Sequence, residues 1–303
     1  MKKSILLVSF IVNLSSFSQA QINPPQPVDK GNGIYTITID AMSIEIDSKS
    51  GGRISSLKLK DREFLYTAKA SDNWGSTFWT SPQSAWGWPP SENINSKPYT
   101  GRIDGLKVNL TSNKDDKLGL VINKKLSGNL KDTSFSIVYT ITNVSQETKQ
   151  VAPWEITRVA PGGLTIFPSG KSTKKGDLVP LMKDSSGITW FKYQADKIPA
   201  GVPKYFSDGS EGWIAQVSGN MILIKTFKDV EPANAAPDEA EIELYANPDK
   251  TYIEIEQQGD FTKIDKGSSS TWEVKWYIRS LPKRTKVDAG NMALIKFIRN
   301  TIK

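Results

Sequence analysis

Four tryptophans fall close together in one short stretch of the chain: Trp74, Trp79, Trp86 and Trp88. A pyranose ring has an apolar face of C–H bonds that stacks on an indole. Its rim hydroxyls pair with amides, carboxylates and guanidinium groups. Asn73 and Gln83 stand among the indoles and supply amides. Saccharide binding by Asn73, Trp79, Gln83, Trp86 and Trp88 is therefore the chemistry expected here. Trp86 and Trp88 bracket Gly87, so in an extended segment both rings point to one side as a two-ring platform. Trp74, beside Gly75, is expected to be buried. The competing reading is a hydrophobic cluster closing one end of the fold, since buried tryptophan is common in cores.

Carboxylates offer a second chemistry. A pair of acids flanking a glycosidic bond is the equipment for general acid/base cleavage, and the pair Glu155 and Glu256 is singled out for it only by the family resemblance given below. Arg158 can hold a hydroxyl or a carboxylate. Each has a plainer reading. Glu254 and Glu256 alternate with Ile253 and Ile255, as solvent-facing charges on a half-buried strand do. Glu155 and Arg158 are spaced to pair across a turn. The chain contains no His and no Cys. Serine hydrolysis loses its base, and zinc, copper and iron lose their usual ligands. No cofactor or metal is called for, although a hard cation such as calcium, held by carboxylates and carbonyls, stays compatible with the composition. Gly170-Lys171-Ser172 is only a fragment of a phosphate-binding loop.

These residues must be positioned by strands. From Gly33 onward the hydrophobic pattern has period two: Tyr35, Ile37 and Ile39 alternate with Thr36, Thr38 and Asp40. Similar runs occupy residues 42–47, 54–59, 106–110, 118–126, 135–142, 213–217, 221–227, 242–245, 252–256 and 272–278. Gly, Asn, Asp or Pro separate most of them, which argues for an all-β sandwich. Pro82, Pro89 and Pro90 argue against regular structure around the tryptophans, so residues 73–90 read as an irregular loop. Residues 169–209 read as the loosest region. Near the end, Leu294, Ile295, Ile298 and Ile302 share one helical face, predicting a short helix docked on the sandwich. Residues 33–303 read as one domain, because no linker divides them.

The segment Gly51-Gly52-Arg53-Ile54-Ser55-Ser56-Leu57, followed by the Asn73–Pro90 run, resembles an uncharacterised domain family of exported bacterial proteins (domain of unknown function 4380) in the galactose mutarotase-like superfamily. The Gly-Gly-Arg-Ile opening is also similar to the start of aldose epimerases. Tyr252-Ile-Glu-Ile-Glu-Gln-Gln-Gly, Asp265-Lys-Gly-Ser and Trp272-Glu-Val-Lys-Trp resemble their closing strands. The resemblance implies a β-supersandwich of two large antiparallel sheets with one carbohydrate-binding concave face. It implies Arg53 as a substrate ligand and Glu256, in Glu256-Gln257-Gln258, as the base that takes the anomeric proton. The family's proton donor is a histidine, and this chain has none. Glu155 falls near that donor's place and is the candidate replacement. Standard aldose 1-epimerase chemistry is not expected.

Lys2 and Lys3, the apolar run at residues 5–12 and Ser18-Gln19-Ala20 read as an export signal cut after Ala20. The run is too short to span a bilayer. Periplasmic or secreted localisation is expected, with no membrane insertion after cleavage and a polar, proline-rich leader over residues 21–32. The formal charge of +7 is spread among acidic residues, with no basic stripe for nucleic acid. Carbohydrate is the expected partner. Three readings stay open: a glycan-binding module, a carbohydrate-active enzyme using Glu155, Glu256 and Arg158, and an exported structural protein with its tryptophans in the core.

Overall fold

A computed structural model describes residues 24–69 and 72–303. The export signal and its cut site lie outside the described residues. Two large antiparallel sheets stack face to face, and one helix, Met292–Thr301, packs outside them.

The first sheet has 11 strands. Its main path runs, in spatial order, through Val28–Gly31, Ile34–Ile39, Met42–Asp47, Arg53–Leu59, Ser76–Ser81, Lys149–Val159, Ile253–Gln258, Ile242–Ala246 and Lys204–Ser207. The second sheet has 10, in the order Met182–Ser185, Ile188–Lys192, Leu164–Pro168, Trp213–Ser218, Met221–Thr226, Ser269–Ser280, Ser134–Asn143, Leu120–Asn129, Lys107–Thr111 and Thr100–Asp104. Alternation puts one face of the central strands into the shared core, where Ile44, Phe78, Ile122, Ile137, Ile255 and Trp276 are fully buried. A smaller core lies on the outer face of the second sheet. There Leu294, Ile295 and Ile298 of the helix cover Leu164, Trp190 and Trp213. Asn291 caps this helix by accepting a hydrogen bond from the Ala293 amide.

The strands expected from period-two alternation are present, and so is the terminal helix. Four segments differ from expectation. Val28–Gly31 of the expected leader pairs with Ile34–Ile39 as an edge strand. Ser76–Ser81, in the middle of the supposed loop, is a fully buried central strand. Pro82 follows its last residue, so no ladder hydrogen bond is lost, and the Ser81–Pro82 peptide is cis. Residues 154–158 are no turn. They belong to Lys149–Val159, in which Pro153 sits where the partner changes from Thr262–Ile264 to Ile253–Gln258. The loose region holds the strands Met182–Ser185, Ile188–Lys192 and Lys204–Ser207.

Candidate functional site

Strand register decides which side chains meet. Trp79 pairs with Trp154, and Arg158 with Glu254. Glu243 pairs with Glu256, Tyr245 with Glu254, and Lys204 with Tyr245. Cross-strand partners share a face, so all of these project from the first sheet away from the inter-sheet core. Ile253–Gln258 is buried on both faces. Its acidic residues Glu254 and Glu256 therefore do not face bulk water, and Gln83 and Trp88 from the segment after Ser81 line the same cavity.

A cavity of about 370 Å³ lies on this face of the sheet. That is within the usual range for small-molecule sites. Trp79, Trp154, Tyr245 and Tyr252 supply aromatic wall, while Glu254, Glu256, Lys204, Asn73 and Gln83 supply polar groups. Trp88 stands at the mouth. It is 65% exposed and meets Trp79 edge-on at 6.1 Å. An exposed indole on a pocket wall is an open stacking surface.

The other indoles of the cluster are buried. Trp79 donates from Nε1 to Asn95 Oδ1 at 2.9 Å, and Trp86 donates to the Thr80 carbonyl at 2.6 Å. Trp86 packs behind Trp79 and Trp154, off the cavity wall. The expected Trp86/Trp88 platform does not form. Gly87 takes a left-handed φ of 75°, which breaks the extended geometry and sends the two rings apart. Trp74 is buried between Arg53 and Lys69, each 4.5 Å from its ring centre.

Arg53, expected as a substrate ligand, is instead buried scaffolding. It donates to the carbonyls of Asp72 at 2.6 Å, Trp74 at 3.0 Å and Asn95 at 3.4 Å. Gly51 lets that assembly close. A Cβ there would lie 2.0 Å from the Asn95 carbonyl oxygen. The Gly51-Gly52-Arg53 turn thus fixes Asn95, and Asn95 fixes Trp79.

The expected Glu155/Glu256 pair does not meet. The two are out of phase by one residue in the register, since Glu155 opposes Gln257 while Ile156 opposes Glu256. They lie on opposite faces of the sheet. Glu155 points into the core, where Lys225 Nζ is 2.8 Å away and the Gln257 amide and Trp276 indole donate at 2.6 and 3.1 Å. It is not on the cavity wall. Arg158 does lie on the Glu256 face, beneath the floor. It donates from Nε to Glu254 at 2.8 Å and from a terminal nitrogen to Thr77 at 3.0 Å, so it pairs across strands and not with Glu155.

Glu256 is the most unusual group in the cavity. Its Oε2 accepts from the Trp154 indole at 2.9 Å and lies 3.6 Å from Lys204 Nζ. Its Oε1 is buried with no protein partner. Burial pushes the carboxyl up to about 7, with Lys204 opposing and Glu254 adding to the rise. Glu243 is also raised by burial, again against Lys204. Lys204 lies 2.6 Å from Glu243. Burial acts to lower its ammonium, but Glu256 and Glu243 overcome that and hold it above the usual lysine value. A carboxyl raised from 4.5 to about 7 has a proton contribution to stability that is full below about pH 4.5. That contribution is lost as pH rises through about 7. Glu256→Gln should therefore gain melting temperature relative to the wild type on going from pH 4.5 to pH 8. An offset that stays constant over this range would contradict the raised carboxyl.

Lys204, Glu243, Tyr245 and Trp154 escaped identification as site residues in the sequence. The available signal was register: once the strands are paired, Lys204, Tyr245, Glu254 and Arg158 form one cross-strand row.

No protein-family model matches the chain, and no curated protein matches it. Solved structures do match. A TPR-domain containing protein from Parabacteroides distasonis superposes with a TM-score of 0.60 at 15% identity over 85% of this chain, which spans about half (49%) of that structure. A galactose mutarotase-like protein from Lactobacillus casei superposes with a TM-score of 0.59 at 14% identity, over 82% of this chain and 100% of that one. A galactose mutarotase related enzyme from Lactobacillus acidophilus gives 0.56 at 11%, over 84% and 99%. The chain has the two-sheet sandwich fold of the galactose mutarotase-like proteins.

Proposed function

We propose that this protein binds a carbohydrate in the cavity between Trp88 and Glu256, and that it works outside the cytoplasm as a member of the uncharacterised exported family named above. One observation carries the binding reading. An exposed indole, Trp88, and a buried carboxyl with one oxygen that has no protein partner, Glu256, belong to the lining of the same 370 Å³ cavity. An unmade hydrogen bond on a buried acid is costly, and a sugar hydroxyl donating to Glu256 Oε1 would relieve that cost. The Trp88 face would take the apolar side of the ring, and Asn73 and Gln83 its rim. The sandwich fold supports this reading and does not supply a reaction.

The raised Glu256 carboxyl favours a second reading, in which the site is catalytic and Glu256 moves a proton. Lys204, held well above its usual range by two acids, is a poor donor in place of a histidine. Aldose epimerisation should therefore be slow, since a missing general acid typically costs ~10²–10⁴-fold. Trp-fluorescence titration against a panel of mono- and oligosaccharides, with polarimetry on glucose and galactose, separates the readings. Quenching without faster mutarotation is the expected result. Rapid, Glu256-dependent equilibration would establish catalysis, and no quenching by any sugar would count against both.

A further inference from the structure

The main cavity does not end at its own walls. A second cavity of about 280 Å³ shares Asn73 and Trp88 with it. Trp88 therefore stands between two hollows as a fin. Pro89, Pro90 and Glu92 line the second one.

On the opposite side lies a third cavity, of about 340 Å³, lined by Phe206, Glu239 and Lys175. Two side-chain contacts join it to the first. Glu239 accepts a hydrogen bond from the Gln83 backbone N–H at 2.8 Å, and Gln83 belongs to the first cavity. Lys204 of the first cavity has its ammonium 5.0 Å from the Phe206 ring centre. Lys204 and Phe206 are two residues apart on one strand and project from the same face. The three hollows are therefore consecutive along one side of the first sheet, each near the lower end of small-molecule site volumes.

The floor of the first cavity crosses five neighbouring strands, from Trp79 to Lys204. At the usual strand spacing that is on the order of 19 Å. This length exceeds one pyranose ring. The geometry points to a linear oligosaccharide as the occupant, with one sugar in the central Glu256 cavity and its neighbours beyond Trp88 and above Phe206. This inference rests on the carbohydrate reading and extends it from a single sugar to a chain. Trp88, which lines both hollows, would stack on the central unit and guide the next. The aromatic ring of Phe206 would do the same at the far end.

The test uses linear oligomers of glucose, mannose, galactose and N-acetylglucosamine, from one to four units, titrated by calorimetry into the full-length protein. Two variants outside the central cavity accompany the wild type: Phe206→Ala in the third hollow and Glu92→Ala in the second. In the series that binds, Kd should fall by at least about tenfold between the monosaccharide and the trisaccharide, the size of one added stacking contact. At least one variant should lose that gain while keeping the wild-type Kd for the monosaccharide. Equal affinity for one unit and for three would overturn the inference and leave the single-sugar reading standing. So would a length gain that neither variant alters. If no oligomer and no monosaccharide binds, the carbohydrate reading fails and this inference falls with it.

Discussion

Trp88→Ala should weaken saccharide binding at least about tenfold while changing folding free energy by less than ~0.5 kcal/mol. Trp154→Ala should do something different in kind. The Trp88 ring is 65% exposed, with one edge contact to Trp79, so removing it leaves almost no void. A lost stack of about 1.5 kcal/mol accounts for the tenfold. Trp154 is buried, and its ring lies edge-on 5.4 Å from Trp79 and 4.8 Å from the Lys204 ammonium. Its indole nitrogen holds Glu256. Truncation there removes a buried indole from the cavity wall and should cost ~3–5 kcal/mol. Binding should also be lost, because Glu256 would lose its anchor. Melting curves and fluorescence titrations on both variants measure the split. A large stability loss in Trp88→Ala, or an unchanged Kd, would mean that the exposed ring is no binding surface.

The second large effect lies in the core. Lys225→Met should cost about 3–5 kcal/mol of stability, because it strands the Glu155 carboxylate between the sheets. Both residues are fully buried. Lys225 Nζ touches Glu155 Oε1 at 2.8 Å and Gln257 Oε1 at 3.0 Å, and it also bonds the Thr157 hydroxyl. Tyr139 donates to the other Glu155 oxygen. Satisfied this way, the pair ties the central strand of the first sheet to the second. Removing one member leaves a charge with no counter-ion, whereas Lys225→Met with Glu155→Gln removes both charges. The double variant should be more stable than Lys225→Met alone, and urea unfolding of the wild type, Lys225→Met, Glu155→Gln and the double variant yields the coupling. A single-variant cost under ~1 kcal/mol would show that the core admits water to the pair. Saccharide affinity should not follow these changes, since Glu155 and Glu256 lie on opposite faces.

The fold was legible because period two is a local signal. Each strand in the runs from Tyr35 to Ile39 and from Trp272 to Ile278 declares its buried face without reference to any other. Strands buried on both faces were harder. Ser76–Ser81 lacks alternation for that reason, and the nearby prolines disguised it as loop. The site was legible in composition and illegible in register. Trp79, Trp88, Asn73 and Gln83, which line the cavity, were singled out from side-chain chemistry, and Glu256 from the resemblance of Glu256-Gln257-Gln258 to the aldose epimerase pattern. Whether Glu155 and Glu256 meet was not legible, because facing depends on a one-residue offset between strands about one hundred positions apart. Lys204 went unseen because no local pattern connects it with Glu243 and Glu256. Only the order of the sheet brings those three together.

The central claim is that one cavity holds a sugar between Trp88 and Glu256. A crystal structure of the protein soaked with the tightest-binding saccharide tests it most directly. The account predicts a pyranose ring stacked on Trp88, with a hydroxyl within hydrogen-bond distance of Glu256 Oε1. A well-ordered sugar bound elsewhere on the molecule, with the Trp88–Glu256 cavity holding only solvent, would contradict it.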